Sequence, residues 1–220
     1  MPGRLLKVFI YNLSLSTSTF PNGWKAAKVT PLFKSGDRNL TENYRPISIL
    51  PVFAKIIEKE VHSQVYAFLL EHKLLNKHQH GFRTRRSTNT ALLSVIDKWL
   101  QGMDNSQVTA VVYLDLAKAF DTVRHPLLME QLSLMEINGA EYDWFVSYLS
   151  NRKQRVVYDG VLSAAKPITC GVPQGSALDP LLFLIYINSL PECIKYGEIN
   201  MFADDTALLF KIENQHRNRA

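Results

Sequence analysis

The sequence predicts an α+β fold, and three observations carry that expectation. Segments with helical apolar spacing stand beside β-rich segments, without the strict alternation of a doubly wound sheet. The pair Asp159-Gly160 sits between two β-prone stretches, as in an antiparallel hairpin. A second strand–turn–strand pattern near the C-terminal end surrounds the acidic pair Asp204-Asp205.

Each element follows from its own residues. Residues 1–23 form a leader of uncertain structure that ends in a turn-like Pro21-Asn22-Gly23. Residues 24–34 alternate between apolar and polar, as in Ala27-Lys28-Val29-Thr30, which suits a strand. Ser35-Gly36-Asp37 then marks a turn. From Val52 to Leu75 the apolar residues Phe53, Ile56, Ile57, Val61, Val65, Phe68 and Leu69 recur at helical spacing behind Pro51. A second helix is expected over 87–101, with Ser87 or Thr88 as its N-cap. Val108 to Leu116 is β-rich and reads as a buried strand. Pro126 to Ile137 and Glu141 to Ser150 read as helices. Residues 153–159 and 161–169 are the arms of the Asp159-Gly160 hairpin. Ser176 to Ile194 reads as one helix running through Pro180. Asn200 to Ala203 and Thr206 to Lys211 read as short strands, with Asp204-Asp205 between them.

Composition bounds the function. The 220 residues suffice for one good-sized domain, or a domain with an appendage, and for a real core. With 46% apolar and 20% charged residues, the chain has ordinary globular composition. Its net charge of +5 and pI near 9.1 suggest a polyanionic partner. The excess lies in the first 90 residues: Arg4, Lys7, Lys25, Lys28, Lys34, Arg38 and Arg45 outweigh Asp37 and Glu42, and Lys77, Arg83, Arg85 and Arg86 follow without an acid. A solvated basic face would account for the charge alone. Cys170 and Cys193 are too few for a disulfide framework or a zinc site, and fit a reducing, intracellular setting. The apolar run Leu181–Ile187 is too short to span a bilayer. Lys7 interrupts the apolar N-terminal stretch and no clean cleavage site follows, so no targeting signal is read.

The acids carry the chemistry. Adjacent carboxylates flanked by apolar residues repel each other and resist desolvation unless a cation is bound. A plain Asp-Asp turn would explain Asp204 and Asp205 by themselves. Asp115, at the end of the strand over 108–116, adds a third acid that can converge with them. Carboxylate oxygens suit magnesium, which keeps substrate phosphates in its shell. A pair of such ions roughly 3.5–4 Å apart activates an attacking hydroxyl and neutralises a leaving oxygen. The segment Cys170-Gly171-Val172-Pro173-Gln174-Gly175-Ser176 joins a predicted strand to a predicted helix. Its glycines allow close backbone approach, and a helix N-terminus favours an anion. An ordinary turn with Ser176 as N-cap would also produce it.

These pieces occur in a recognisable order. Tyr113-Leu114-Asp115-Leu116-Ala117-Lys118-Ala119-Phe120-Asp121 resembles the first catalytic motif of reverse transcriptases. Gly171-Val172-Pro173-Gln174-Gly175-Ser176 resembles the second, and Phe202-Ala203-Asp204-Asp205 the third. Upstream, Asn43-Tyr44-Arg45-Pro46-Ile47-Ser48 and Gln79-His80-Gly81-Phe82-Arg83 resemble fingers motifs. The set, running from Trp24 to Phe210, resembles the jockey-type branch of non-LTR (LINE-like) retrotransposons. A group II intron-type enzyme shares the third motif. A viral RNA polymerase usually has Gly-Asp-Asp there instead.

The resemblance implies a right-hand polymerase made of fingers (24–107) and palm (108–220), with the thumb and the usual N-terminal endonuclease absent. It implies nucleotidyl transfer from a dNTP to a DNA primer 3′-hydroxyl on an RNA template, with two Mg²⁺ ions, or Mn²⁺ in their place. It implies no membrane. Asp115 and Asp204 would be the main metal ligands and Asp205 the lesser one. Phe120 would lie under the sugar and exclude a 2′-hydroxyl. Gln174 and Gly175 would line the nucleotide pocket, and Lys34 and Arg45 would hold the triphosphate. Two positions depart from the pattern. Asp179 replaces a usual glycine and is expected to disturb the helix start, and Ser189 replaces a frequent aspartate. Only 15 residues follow Asp205, so a fragment or decayed copy with little processive activity is expected. The alternative is an inactive relic that only binds RNA.

Overall fold

A computed structural model describes residues 12–213. In chain order its elements are β1 (Ala26–Phe33), β2 (Tyr44–Ile49), α1 (Val52–Glu71), α2 (Thr88–Asp104), β3 (Gln107–Leu114), α3 (His125–Leu134), α4 (Gly139–Leu149), β4 (Lys153–Tyr158), β5 (Val161–Leu162), β6 (Lys166–Pro167), α5 (Asp179–Tyr186), β7 (Glu198–Phe202) and β8 (Asp205–Glu213). The mixture is α+β, as expected. The chain divides into two units, each discontinuous in sequence. One takes the residues up to His72 together with Phe120–Tyr186, and the other takes Lys73–Ala119 and the residues from Ile187 onward.

In the first unit the sheet order is β2-β1-β4-β5, with β6 also paired to β4. β1 runs antiparallel to β2 and parallel to β4. Alternation in β1 buries Ala27 and Val29 and leaves Lys28 exposed. The Asp159-Gly160 turn has φ of +47° and +75°, positive at both central residues as a type I′ turn requires. The second arm is not continuous: β5 and β6 are two residues each. The leader contributes a core residue, since Phe20 is fully buried. Its ring meets Trp144 and Tyr148 edge-on at 5.7 and 5.0 Å. Residues 1–11 of the leader lie outside the described residues.

The predicted helix from Ser176 to Ile194 is shorter than expected. α5 covers only Asp179–Tyr186, and Leu190–Cys193 form a separate 3₁₀ turn. Prolines explain both edges. Pro180 lacks the amide that an earlier turn would need, so it sits in the first turn, and Pro191 opens the 3₁₀ turn. Asp179 therefore begins the helix and does not disrupt it.

In the second unit the sheet order is β3-β8-β7, antiparallel throughout. α2 is capped by Ser87, whose Oγ accepts from the Thr90 amide while Thr90 Oγ1 accepts from the Ser87 amide. A Cβ on Gly102 would lie 2.3 Å from Thr109 Oγ1, so the glycine lets α2 approach β3. Glu198 bridges Lys98 and Lys211 at 3.1 and 3.0 Å. The expectation of a buried β3 is corrected. Val108, Val112 and Tyr113 are exposed, Tyr113 at 76%. β3 is an edge strand, and only one of its faces meets α2 among the described residues. No helix in the described residues is long and apolar enough to cross a membrane. Cys170 and Cys193 are both free and exposed.

Candidate active site: a carboxylate turn and a glycine loop

The three acids belong to the second unit, and sheet register aligns them. β7 ends at Phe202, which pairs with Asp205, leaving Ala203-Asp204 as a two-residue turn. The sequence placed both acids in the turn; Asp205 instead opens β8. The β3–β8 ladder closes with Leu114 paired to Thr206, so Asp115, the next residue, leaves β3 at the end of the sheet where Asp205 begins β8. All three acids thus occupy one end of the sheet. Asp204 is half-buried, and Asp115 and Asp205 are exposed. Among the described residues no three His, Cys, Asp or Glu side chains are already drawn together as a metal site. The donor chemistry still fits a hard divalent ion, since all three offer carboxylate oxygens.

The turn is strained. Ala203 has φ of +55°, a left-handed conformation that costs a non-glycine residue about 1 kcal/mol. Its amide donates to Gln79 Oε1 at 2.8 Å, and its carbonyl accepts from Gln79 Nε2 at 3.1 Å. Part of the basic stretch serves this region. Arg86 donates to the Gln79 carbonyl at 3.0 Å, and Arg83 to the Asn76 carbonyl at 2.7 Å. These two guanidinium groups secure backbone and do more than solvate a face.

The remaining candidates lie in the first unit. The glycine loop docks on β2: the Ser48 amide donates to the Gln174 carbonyl at 2.7 Å. Gly175 has φ of +101°, and a Cβ there would lie 2.8 Å from the Ser48 carbonyl, so no other residue fits unstrained. The Val172 amide donates to the Phe120 carbonyl at 3.0 Å, joining loop and first motif. The Gln174 side chain donates to Asp121 Oδ1 at 2.9 Å, and the Phe120 ring stacks on Phe183 at 4.3 Å. Phe120, Gln174 and Gly175 are therefore one cluster.

Lys34 and Arg45 share an exposed face of the β1–β2 ribbon. Arg45 pairs with Leu32, and the Lys34 amide donates to the Asn43 carbonyl at 2.8 Å. Lys28 and Arg155 are register partners on the same face and are also exposed. Nothing local points to Arg155's place there, because the β1–β4 pairing is long-range and parallel.

Behind the loop lies a buried polar cluster. Glu58, with no exposed surface, accepts from the Tyr148 hydroxyl at 3.1 Å and from the Ala177 amide at 3.0 Å. Tyr148 also hydrogen-bonds Ser176 at 2.9 Å. Ser176 Oγ accepts from the Leu178 amide, so it caps the turn ahead of α5. Asp179 is buried nearby. Desolvation pushes its carboxyl up to about 8, against a lowering hydrogen bond from the Gly175 backbone and with small raising contributions from Asp121 and Glu58.

The family described as reverse transcriptase (RNA-dependent DNA polymerase) matches residues 33–219. The RNA-directed DNA polymerase from mobile element jockey of Drosophila melanogaster is 33% identical over 96% of this chain and 24% of its own length. The probable RNA-directed DNA polymerase from transposon BS of the same species is 31% identical, over 94% of this chain and 24% of its own. The chain thus spans about a quarter of the length of these relatives. A solved structure of apo telomerase from Candida tropicalis, truncated from its C-terminal domain, superposes with a TM-score of 0.58 at 14% identity, covering 98% of this chain and 50% of that one. That likeness concerns the fold.

Proposed function

The chain belongs to the reverse transcriptase (RNA-dependent DNA polymerase) family, and on that premise we propose that it is the nucleotidyl-transfer region of a non-LTR retroelement polymerase. Residues 24–107 act as fingers and those from 108 onward as palm. The substrates are a dNTP, a DNA primer and an RNA template. The observation that carries this reading is the register that puts Asp115, Asp204 and Asp205 at one end of the β3-β8-β7 sheet.

Asp115 and Asp204, with Asp205 as the lesser ligand, would hold two Mg²⁺ ions, or Mn²⁺ in their place. Those ions, when bound, lower the pKa of the primer hydroxyl and neutralise charge on the departing pyrophosphate. The chain's own residues supply position and charge. Lys34 and Arg45 attract the triphosphate, Arg45 with a planar fork suited to phosphate oxygens. Lys28 and Arg155 extend the basic face toward nucleic acid, so RNA affinity falls steeply with salt. Gln174, held by Asp121, and Gly175 present the loop to the nucleotide. Phe120, braced by Phe183, occupies the space a 2′-hydroxyl would need.

Primer extension on an RNA template tests this reading. Deoxynucleotide incorporation that requires Mg²⁺ or Mn²⁺ is expected. Salt-sensitive RNA binding without incorporation under either ion would overturn it in favour of a protein that only binds RNA. A second expectation concerns the sugar. Phe120→Val should raise ribonucleotide incorporation relative to deoxynucleotide by roughly 10–100-fold, the range steric pockets discriminate. An unchanged ratio in single-nucleotide assays would remove Phe120 from that role.

A further inference from the structure

Gln79 makes three side-chain hydrogen bonds, all to backbone. Oε1 accepts from the Ala203 amide at 2.8 Å and from the Gly81 amide at 2.7 Å, while Nε2 donates to the Ala203 carbonyl at 3.1 Å. Only one orientation of the amide satisfies all three, since two partners are donors and one an acceptor. The side chain therefore grips both polar groups of the residue with the left-handed backbone. Ala203 directly precedes Asp204.

The gripping residue is itself fixed. The His80 amide donates to the Met201 carbonyl at 2.7 Å, and the Met201 amide to the His78 carbonyl at 2.9 Å. Gln79 thus forms a parallel bridge with Met201 on β7. Gly81 closes the contact: a Cβ there would lie 2.2 Å from the Ala203 nitrogen. The segment 78–81 is a backbone clasp laid against the edge of β7 and its turn. Gln79 is buried, so the contact is shielded from water and its hydrogen bonds are not readily replaced.

We propose that Gln79 is a positioning residue for Asp204: its amide holds Ala203 in the left-handed turn and so sets where the Asp204 carboxylate points. This rests on the reading of Asp204 as a metal ligand. The clasp allows a strained alanine to stand where glycine would adopt the same φ freely. Without Gln79 the turn relaxes, and the Asp204 carboxylate is no longer fixed at the end of the sheet where Asp115 and Asp205 also lie.

The test titrates Mn²⁺ into the full chain by calorimetry, with amide hydrogen exchange at the turn as a readout independent of activity. Gln79→Met should weaken Mn²⁺ binding at least tenfold and speed exchange at Ala203. Adding Ala203→Gly, which accepts the turn conformation without the clasp, should recover much of the affinity. Gln79→Glu keeps both acceptor bonds and loses the donor, so it should fall between, and it serves if the methionine variant does not fold. Unchanged Mn²⁺ affinity in Gln79→Met, with affinity lost in Asp204→Asn, overturns the positioning role and leaves the metal reading standing. A loss that Ala203→Gly does not relieve makes Gln79 merely structural and also overturns it. Undiminished Mn²⁺ binding in Asp204→Asn sinks the metal reading and this inference together.

Discussion

Replacing Asp204 with asparagine is expected to reduce single-nucleotide incorporation by at least about 10³-fold, or about 4 kcal/mol of transition-state stabilisation. The substitution keeps the shape of the side chain and removes its charge. The turn is held through Ala203, whose amide and carbonyl are bound by Gln79, so the backbone has no reason to move. Fold and chemistry are thereby separable: thermal melting should stay close to that of the parent while incorporation falls to background. Asp115→Asn should behave alike. Asp205→Asn should lose less, because Asp205 begins β8 and is proposed as the lesser ligand. Incorporation within a few-fold of the parent in Asp204→Asn would exclude this carboxylate from the reaction.

The second large effect concerns stability. Asp179 carries a buried carboxyl raised to about 8 from its ordinary 3.8, chiefly by desolvation. Between those two values the folded chain keeps a proton that the unfolded chain has released. Stability from this group is therefore complete below about pH 4, and drains away as pH climbs through about pH 8. The difference across that window is of the order of 6 kcal/mol. Asp179→Asn removes the ionisation and should leave a flatter profile, with its largest gain over the parent at pH 8 and above. Asp179→Gly, the residue common in the resembling elements, should do the same less a helix-propensity cost of up to about 1 kcal/mol. Urea unfolding of parent and variants from pH 5 to 9 measures this. Identical pH profiles would show that Asp179 is ionised in the fold at no cost.

Legibility followed locality. β1, α1, α2 and the Asp159-Gly160 hairpin were readable because alternation, helical spacing, a cap and a turn pair are written in neighbouring residues. β2 carries no readable strand signal, because Pro46 interrupts its pattern. Pro46 is tolerated on this edge strand, opposite Pro31. The helix expected over 176–194 is too long because apolar spacing continues past Tyr186, where α5 stops. Asp115, Asp204 and Asp205 are legible as a strand-end acid and an acidic pair at a strand–turn–strand, and motif order strengthens that reading. The clasp on Ala203 was hidden, since its partners are distant in sequence and nothing local in Gln79 announces a role. The exposure of β3 was hidden for the same reason: a strand's apolar residues do not say how many faces will be covered.

The second unit also sets a timetable. β3 has one sheet neighbour among the described strands, and that neighbour, β8, is the last of them to leave the ribosome. Until then the nascent chain carries β3 with its backbone groups unpaired, on a strand whose Val108, Val112 and Tyr113 stay exposed even in the finished fold. Such long-range closure is slow, and open edges recruit other chains. Yield in a cell should therefore depend on chaperone supply during translation, and a ribosome that stalls before Glu198 releases a chain whose β3 finds a stranger's strand before its own.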